Sequence, residues 1–446
     1  MEPSAIVTRV RHAWTRLTAE WPLSLLALVL VAAVARMAIA YAWGSSGIEP
    51  YDGDSGEYII PARSLIDGLN FEDRSGNGEP MFVRTPGFPT LLAGVMLITG
   101  QDPIKWSVML AGLSAPVALP VFSTAGRLFG RSAAWVAGVI VLIDPLSISS
   151  STVIMTETTQ GFLLALVGLG LVIAVLDGRY RLLGWGLAGV SCAVSTLVRP
   201  STYYLVILLA LFALAFLIRR GAGLRRTTAA TLLLVLPSVV LLGGWQLRNQ
   251  IQVDSWRFAG IEAENMYYFR AGDILAKRQG VPFDPYYGDI RFDLAPRGAG
   301  ESQGSYYSRM YSEGVQIVLS EPGTAARTAA RGVAWTMFAE GGQFLSRIGL
   351  QDSSPATWLL RGWIAALWLL AAIGVISGWR RPQLRWAVSS LVLLIAYVLA
   401  ISAGPEAYSR FRVPVIPIVA TLAAGGLWLL VEAWSRRRAV RPRVDA

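Results

Sequence analysis

Residues 22–58 read PLSLLALVLVAAVARMAIAYAWGSSGIEPYDGDSGEY, and two features of that stretch decide the fold. Residues 22–43 are apolar except for Ser24 and Arg36, and roughly 20 such residues suffice for a helix to cross the hydrocarbon of a bilayer. Directly behind them stand Asp52, Asp54 and Glu57, three carboxylates packed into one short loop. A membrane span that opens onto an acidic loop implies a polytopic protein with chemistry at one membrane face.

Composition extends that reading to the whole chain. Of 446 residues 54% are apolar and 15% charged, whereas a soluble domain carries about 25% charged residues. A water-soluble enzyme is therefore excluded, and so is disorder, because so much apolar surface must be buried. The single cysteine, Cys192, excludes a disulfide framework and a thiolate metal cluster. The single histidine, His12, lies in a basic N-terminal stretch, which argues against histidine catalysis or a histidine metal site.

Ten segments have the length and apolarity of spans: 22–43, 104–124, 132–148, 158–176, 182–198, 201–218, 227–246, 356–378, 385–402 and 413–433. The first lacks a small-residue cleavage site and precedes nine others, so it is not a signal peptide. Basic residues then set the orientation. With both termini cytoplasmic, Arg127, Arg131, Arg179, Arg181, Arg219, Arg220, Arg225, Arg226, Arg380, Arg381 and Arg385 all fall inside, as the positive-inside rule requires. The strongly basic balance thus reflects topology and not nucleic-acid binding. The expected fold is an all-α polytopic membrane protein with about ten transmembrane helices, 1–446 forming one membrane domain. Its basic tails are 1–20 and 434–446.

Two long connections face outward, 44–103 and 247–355. In the first, 86–100 is apolar but too short to span, and it reads as a helix lying in the interface. In the second, 324–345 carries Ala326, Ala329, Ala330, Val333, Ala334, Met337 and Phe338 at helical spacing, with Arg327 and Arg331 on another face. That is a second membrane-parallel amphipathic helix.

Asp54 is placed to cap a helix over 55–67, with Glu57 three residues on completing a capping box. A capping carboxylate is held rigidly and keeps one oxygen free, so a catalytic base there is compatible with the cap. Arg84 leads into the interfacial helix; such an arginine either snorkels to headgroups or binds a phosphate with its planar fork. Glu157 opens a span, where a carboxylate also complements the helix dipole. Arg199, Arg248 and Arg410 stand at other outward turns. Together these groups suit a lipid-linked anionic substrate: arginines for the phosphate, a carboxylate for the proton of an attacking hydroxyl. Tyr267, Tyr268, Tyr286, Tyr287, Tyr306, Tyr307 and Tyr311 could stack on sugars, but an interfacial aromatic belt accounts for most of them more simply.

At these residues the chain resembles the GT-C superfamily of membrane glycosyltransferases, in the bacterial branch related to protein O-mannosyltransferases and the lipid A aminoarabinose transferase. The shared features run in order from about residue 30 to 420. They are an acid before Tyr58-x-x-x-Ala62, then Arg84-x-Pro-x-x-Pro89, Thr156-Glu157, Arg199-Pro200, Trp245-x-x-Arg248-Asn249, Ser320-Glu-Pro-Gly and Tyr408-x-Arg410-x-x-x-Pro414. The resemblance implies the GT-C fold and a polyprenyl-phosphate sugar donor. It implies transfer to a cell-envelope acceptor (lipid, glycan or protein hydroxyl) with inversion at the sugar carbon. It further implies an active site at the outer face of a bacterial cytoplasmic membrane.

Residue by residue, the family's catalytic acid falls on Asp54 and its second acid on Glu157. The family commonly has Asp-Glu in succession where this chain has Asp54-Ser55, so Asp52 is a candidate to share the role. Glu57 and Tyr58 support the first loop, and Arg84, Arg199, Arg248 and Arg410 are candidates for the donor phosphate. No cofactor is implied; a divalent cation between Asp54 and the phosphate is compatible with the chemistry, though no spacing demands one. The rival readings are a transporter or flippase of lipid-linked sugars, and an outer-face glycan ligase or polymerase. The first would favour inverted repeats and polar residues at mid-membrane, the second would make the first-loop acids dispensable.

Overall fold

In a computed structural model of the chain, residues 21–68, 71–73, 78–284 and 290–440 are described. The N-terminal tail with His12, the end of the C-terminal tail, and Tyr286 and Tyr287 lie outside them. The described residues are helical throughout apart from loops and one isolated bridge between Glu72 and Pro80. This all-α polytopic membrane architecture follows from long apolar runs whose backbone polar groups only a helix can satisfy within lipid.

Helix α1 (Leu23–Ser45) is followed by α2 (Gly56–Gly68) and α3 (Gly87–Thr99) in the first long connection. Next come α4 (Pro103–Ser114) and α5 (Ala118–Phe129), joined through a 3-10 turn into one candidate span of 27 residues. Gly130, at φ +91°, is all that separates α5 from α6 (Arg131–Ile143), and a side chain there would be strained. After α6 the chain bends by 52° into the short α7 (Pro145–Ser151). Then follow α8 (Glu157–Leu176), α9 (Arg181–Val198), α10 (Leu205–Arg219) and α11 (Leu224–Val253). The second long connection contains α12 (Gln303–Ser320) and α13 (Pro322–Phe338), and the bundle closes with α14 (Ser354–Arg380), α15 (Arg385–Ile401) and α16 (Ile416–Val440).

Among the described residues eight helices, counting α4–α5 together and the 3-10 turn before α16, are long and apolar enough to cross a membrane. The bent α6–α7 pair makes nine. That is fewer than the ten expected. The difference lies in α15, which is helical where a span was expected but is 17 residues long. It packs against the buried α8, and Ala387, Val388, Leu391 and Leu394 are nearly inaccessible. The last helix also continues past 434 to Val440, so the start of the expected tail is helical.

The core is built by close helix contacts. A Cβ on Gly170 of α8 would lie 2.6 Å from the Ala188 nitrogen of α9, and one on Gly184 of α9 would lie 2.5 Å from the Ala174 nitrogen of α8. Small residues let membrane helices approach this closely, where dispersion and not water exclusion drives association. Arg36 is one of the charges buried within the bundle. Arg36 of α1 is 3% exposed and donates to the Ser114 hydroxyl and to the Val141 and Leu142 carbonyls. Those carbonyls end α6, so the guanidinium caps the helix where it breaks at Asp144-Pro145.

The amphipathic helix expected over 324–345 starts at Pro322 and stops at Phe338. Gly341, at φ +82°, then turns the chain into a short helix, Gly342–Arg347. Gly332 of α13 abuts the Gly404 backbone, whereas Trp335 and Phe338 are more than half exposed.

Candidate active site

The acidic first loop is fastened before it reaches its carboxylates. Ile154 donates its N–H to the Pro50 carbonyl, and the Ser55 hydroxyl donates to the Ile154 carbonyl. Residues 50–55 are thereby held beside the α7–α8 junction, next to Glu157 at the start of α8. Asp54 does not complete the expected capping box with its carboxylate. Its backbone carbonyl accepts from the Glu57 N–H, while its two carboxylate oxygens face Arg84 at 3.3 Å and Arg410 at 3.0 Å. Glu57 likewise turns its side chain to Arg84, whose Nε lies 2.5 Å away. A charged fork outcompetes a backbone N–H for a carboxylate because the bond is charge-assisted.

Arg410 is the hub. It precedes α16 in a 3-10 stretch, Ser409–Val415, and bonds Asp52 through Nη1 and Asp54 through Nη2. Its Nε lies 3.7 Å from the Glu157 carboxylate. Arg199, at the end of α9, donates from Nη1 to Glu157 at 2.8 Å and to the Thr156 hydroxyl at 3.1 Å. Phe411 lies under both Arg199 and Arg410, 4.8 and 5.6 Å from ring centre to guanidinium carbon. Tyr58 of α2 lies 5.2 Å from Arg84 in the same manner. Asp52, Asp54, Glu57, Tyr58, Arg84, Glu157, Arg199 and Arg410 therefore form one connected cluster, drawn from positions as far apart in sequence as 52 and 410.

Arg248 is not in it. From α11 it donates to the Met81 and Phe71 carbonyls at 2.7 and 3.3 Å, with Trp245 stacked at 4.7 Å. The Phe82 and Val83 carbonyls in turn accept from Gly260 and Ile261. Arg248 thus clamps Phe71 and Met81, the latter three residues before Arg84.

Burial grades the cluster. Glu157 is 1% exposed, and its second oxygen is buried without a hydrogen-bond partner. The Asp54 side chain is the most open of the four carboxylates at 29%. Burial pushes the Asp54 carboxyl up, but Arg84, Arg410 and Arg199 outweigh it and hold the group below the ordinary carboxylate range. A base made stronger by burial is therefore not what this site contains. As for metals, Asp52, Asp54 and Glu157 converge on the Arg410 guanidinium. Among the described residues no group of three His, Cys, Asp or Glu side chains is arranged to hold a metal.

The described tyrosines of the second connection pack against one another and do not form an open platform. Tyr267, Tyr268, Tyr306, Tyr307 and Tyr311 pack around Ala263 and Met310 as a small core of their own. The Tyr267 hydroxyl accepts from the Leu294 N–H, and the Tyr307 hydroxyl donates to Glu264. Two residues escaped the sequence reading. Ser55 is the tie described above, and Arg347 ends the short helix after α13. Ser55 stands where the family's Asp-Glu pair has its second residue and reads in sequence only as a departure, and Arg347 belongs to no motif.

The fold that surrounds this cluster is GT-C-like. An oligosaccharyltransferase of Archaeoglobus fulgidus in the apo form superposes with a TM-score of 0.53 at 11% identity, over 94% of this chain and 53% of that one. The archaeal oligosaccharyltransferase AglB from the same organism, in complex with an inhibitory peptide and a dolichol-phosphate, gives 0.50 at 12% identity, over 93% and 52%. The chain thus spans about half the length of the solved structures it matches. ArnT from Cupriavidus metallidurans bound to undecaprenyl phosphate superposes with a TM-score of 0.43 at 14% identity, over 91% of this chain and 78% of that one. In sequence, residues 83–245 match the family model of dolichyl-phosphate-mannose-protein mannosyltransferases, a segment that includes Arg84, Glu157 and Arg199. No curated protein is close enough in sequence to count as a match.

Proposed function

We propose that the chain is a glycosyltransferase that moves a sugar from a polyprenyl-phosphate donor to a hydroxyl of a cell-envelope lipid, glycan or protein. The observation that carries this reading is a half-open carboxylate, Asp54, held between two guanidinia at a membrane face. The family match over 83–245 and the GT-C-like fold support it, as does the dolichol-phosphate carried by AglB. The short connections between spans hold Arg127, Arg131, Arg179, Arg181, Arg219, Arg220, Arg225, Arg226, Arg380, Arg381 and Arg385, so by the positive-inside rule those connections and both termini are cytoplasmic. The site then faces outward from a bacterial cytoplasmic membrane.

In this mechanism the acceptor oxygen attacks the anomeric carbon from the face opposite the phosphate, with inversion. The new bond is oxygen to carbon; the bond that breaks joins that carbon to the phosphate oxygen, which keeps the electron pair. Asp54 accepts the hydroxyl proton. With its pKa held low, Asp54 is a weak base, so proton transfer comes late, after the developing positive charge on the sugar has acidified the hydroxyl. The leaving phosphate is a stable anion and needs no general acid. Asp52 and Glu157 hold Arg410 in place, and Arg84, Arg199 and Arg410 make the surrounding field favourable to the phosphate as it leaves.

The test is release of lipid phosphate. Purified protein in liposomes, given polyprenyl-phosphate sugars and envelope extract as acceptor, is expected to yield free polyprenyl phosphate together with labelled acceptor. Donor that crosses the bilayer intact, with no release, would instead make the protein a translocator.

A further inference from the structure

The guanidinia of the cluster already spend donors on its carboxylates: Arg84 on Asp54 and Glu57, Arg199 on Glu157, and Arg410 on Asp52 and Asp54. An arginine with a donor still unspent is better placed to receive the oxygens of an anionic phosphate. The other arginines nearby are engaged elsewhere. Arg248 and Arg412 donate to backbone carbonyls, Arg270 pairs with Glu406, and Arg361 pairs with Glu340.

Arg347 differs. Its Nη1 is buried and has no hydrogen-bond partner. The guanidinium carbon lies 5.8 Å from the Trp43 ring centre, at the end of α1 just before the acidic loop. Its own helix packs on α7, and at Gly341 the chain approaches the Leu146 side chain of α7 and the Ser409 hydroxyl beside Arg410. Burial lowers the pKa of the guanidinium, and the charge on Asp52 opposes that, so the two groups share one electrostatic environment. A buried donor with nothing to bond is costly unless a ligand completes it.

We infer that Arg347 is the receptor for the donor's lipid-linked phosphate, binding its oxygens through the unpartnered Nη1. This rests on the function proposed above and goes beyond it by naming a residue outside every recognised motif. Trp43 and the end of α1 would then flank the point where the prenyl chain leaves for the bilayer. Because phosphate charge grows as the sugar–oxygen bond breaks, Arg347 acts in the transition state as well as in binding. Its loss is expected to lower kcat as well as raise the donor KM.

The test compares undecaprenyl phosphate with undecaprenol, the same tail without phosphate, binding to the purified protein in phosphatidylcholine nanodiscs. Wild type is expected to prefer the phosphate, Arg347→Ala to lose about tenfold or more of that preference, and Arg347→Lys to keep most of it. Arg347→Gln, which keeps size and polarity, substitutes for the alanine variant if that fails to fold. Arg361→Ala, paired with Glu340 on the same connection, is expected to behave as wild type. An unchanged preference in Arg347→Ala or Arg347→Gln overturns the assignment while leaving the function intact. Equal occupancy by phosphatidylglycerol would reduce Arg347 to a general headgroup anchor, which also overturns it. No preference in wild type removes both the assignment and the proposed donor.

Discussion

Asp54→Asn separates the chemistry from the fold most cleanly. The amide has the shape of the carboxylate, so its oxygen can keep the Arg410 bond at 3.0 Å. Its NH2 group then faces Arg84 in place of the oxygen at 3.3 Å. Arg84 is not orphaned, because Glu57 still holds its Nε at 2.5 Å. The structural loss is therefore one charge-assisted contact, about 1.5–3 kcal/mol, in a loop also anchored by Ser55 and Ile154. The kinetic loss is larger in kind. Removing a positioned general base costs about 10²–10⁴ in rate, or roughly 3–5 kcal/mol of transition-state stabilisation at 1.36 kcal/mol per decade. The assay is release of polyprenyl phosphate by purified protein in liposomes, with binding of undecaprenyl phosphate as the check that the variant is folded. A variant that binds the lipid but retains a third or more of the wild-type rate would remove Asp54 as the base.

Four further outcomes are expected. Asp54 titrates below the ordinary carboxylate value of about 3.9, so kcat/KM should hold until the pH falls beneath that value. The stabilisation Asp54 draws from its arginines is likewise present above its unfolded pKa and lost as pH falls through the folded one. Arg84→Ala removes the strongest influence opposing burial and should move the acid limb of the pH profile upward; an unmoved limb would mean that another group titrates. Arg248→Ala should lower stability by about 2 kcal/mol, the worth of charged donors to two carbonyls, with undecaprenyl phosphate binding retained. If binding vanishes while the melting temperature is unchanged, Arg248 touches the phosphate after all. Finally, chelation of divalent cations should leave the transfer rate unchanged, since Asp52, Asp54 and Glu157 converge on Arg410; a rate that falls with chelator and returns with magnesium or manganese would contradict this.

How the residues act depends on which partner wins. The motif around Asp54 and Glu57 reads as a capping box because both residue types sit at the right spacing. In the folded chain Arg84 and Arg410 take those carboxylates instead, and Arg410 is 356 positions away from Asp54. Nothing local distinguishes a carboxylate that caps from one that waits for a distant guanidinium. Arg84 and Arg248 look alike in sequence, each a lone arginine at a turn next to an apolar helix. Only packing separates them, since Arg248 faces the carbonyls of Phe71 and Met81 and Arg84 faces acids. The tyrosines tell the same story: their pairing suggests a platform, and their burial around Met310 makes them a small core.

What the sequence by itself determined is whatever the bilayer dictates residue by residue. Apolar length forces helices, arginine placement sets their ends, and acids gather beside them, so the all-α polytopic architecture was legible; that most of the singled-out acids and arginines meet in one cluster was not. What only the tertiary structure decided is pairing. It decided the depth of Arg410 among three carboxylates and the depression of the Asp54 pKa. It decided the shortness of α15 against α8 and the unanswered donor on Arg347. Each of these is a sum of contacts between segments hundreds of residues apart, fixed by helix packing that no local pattern encodes.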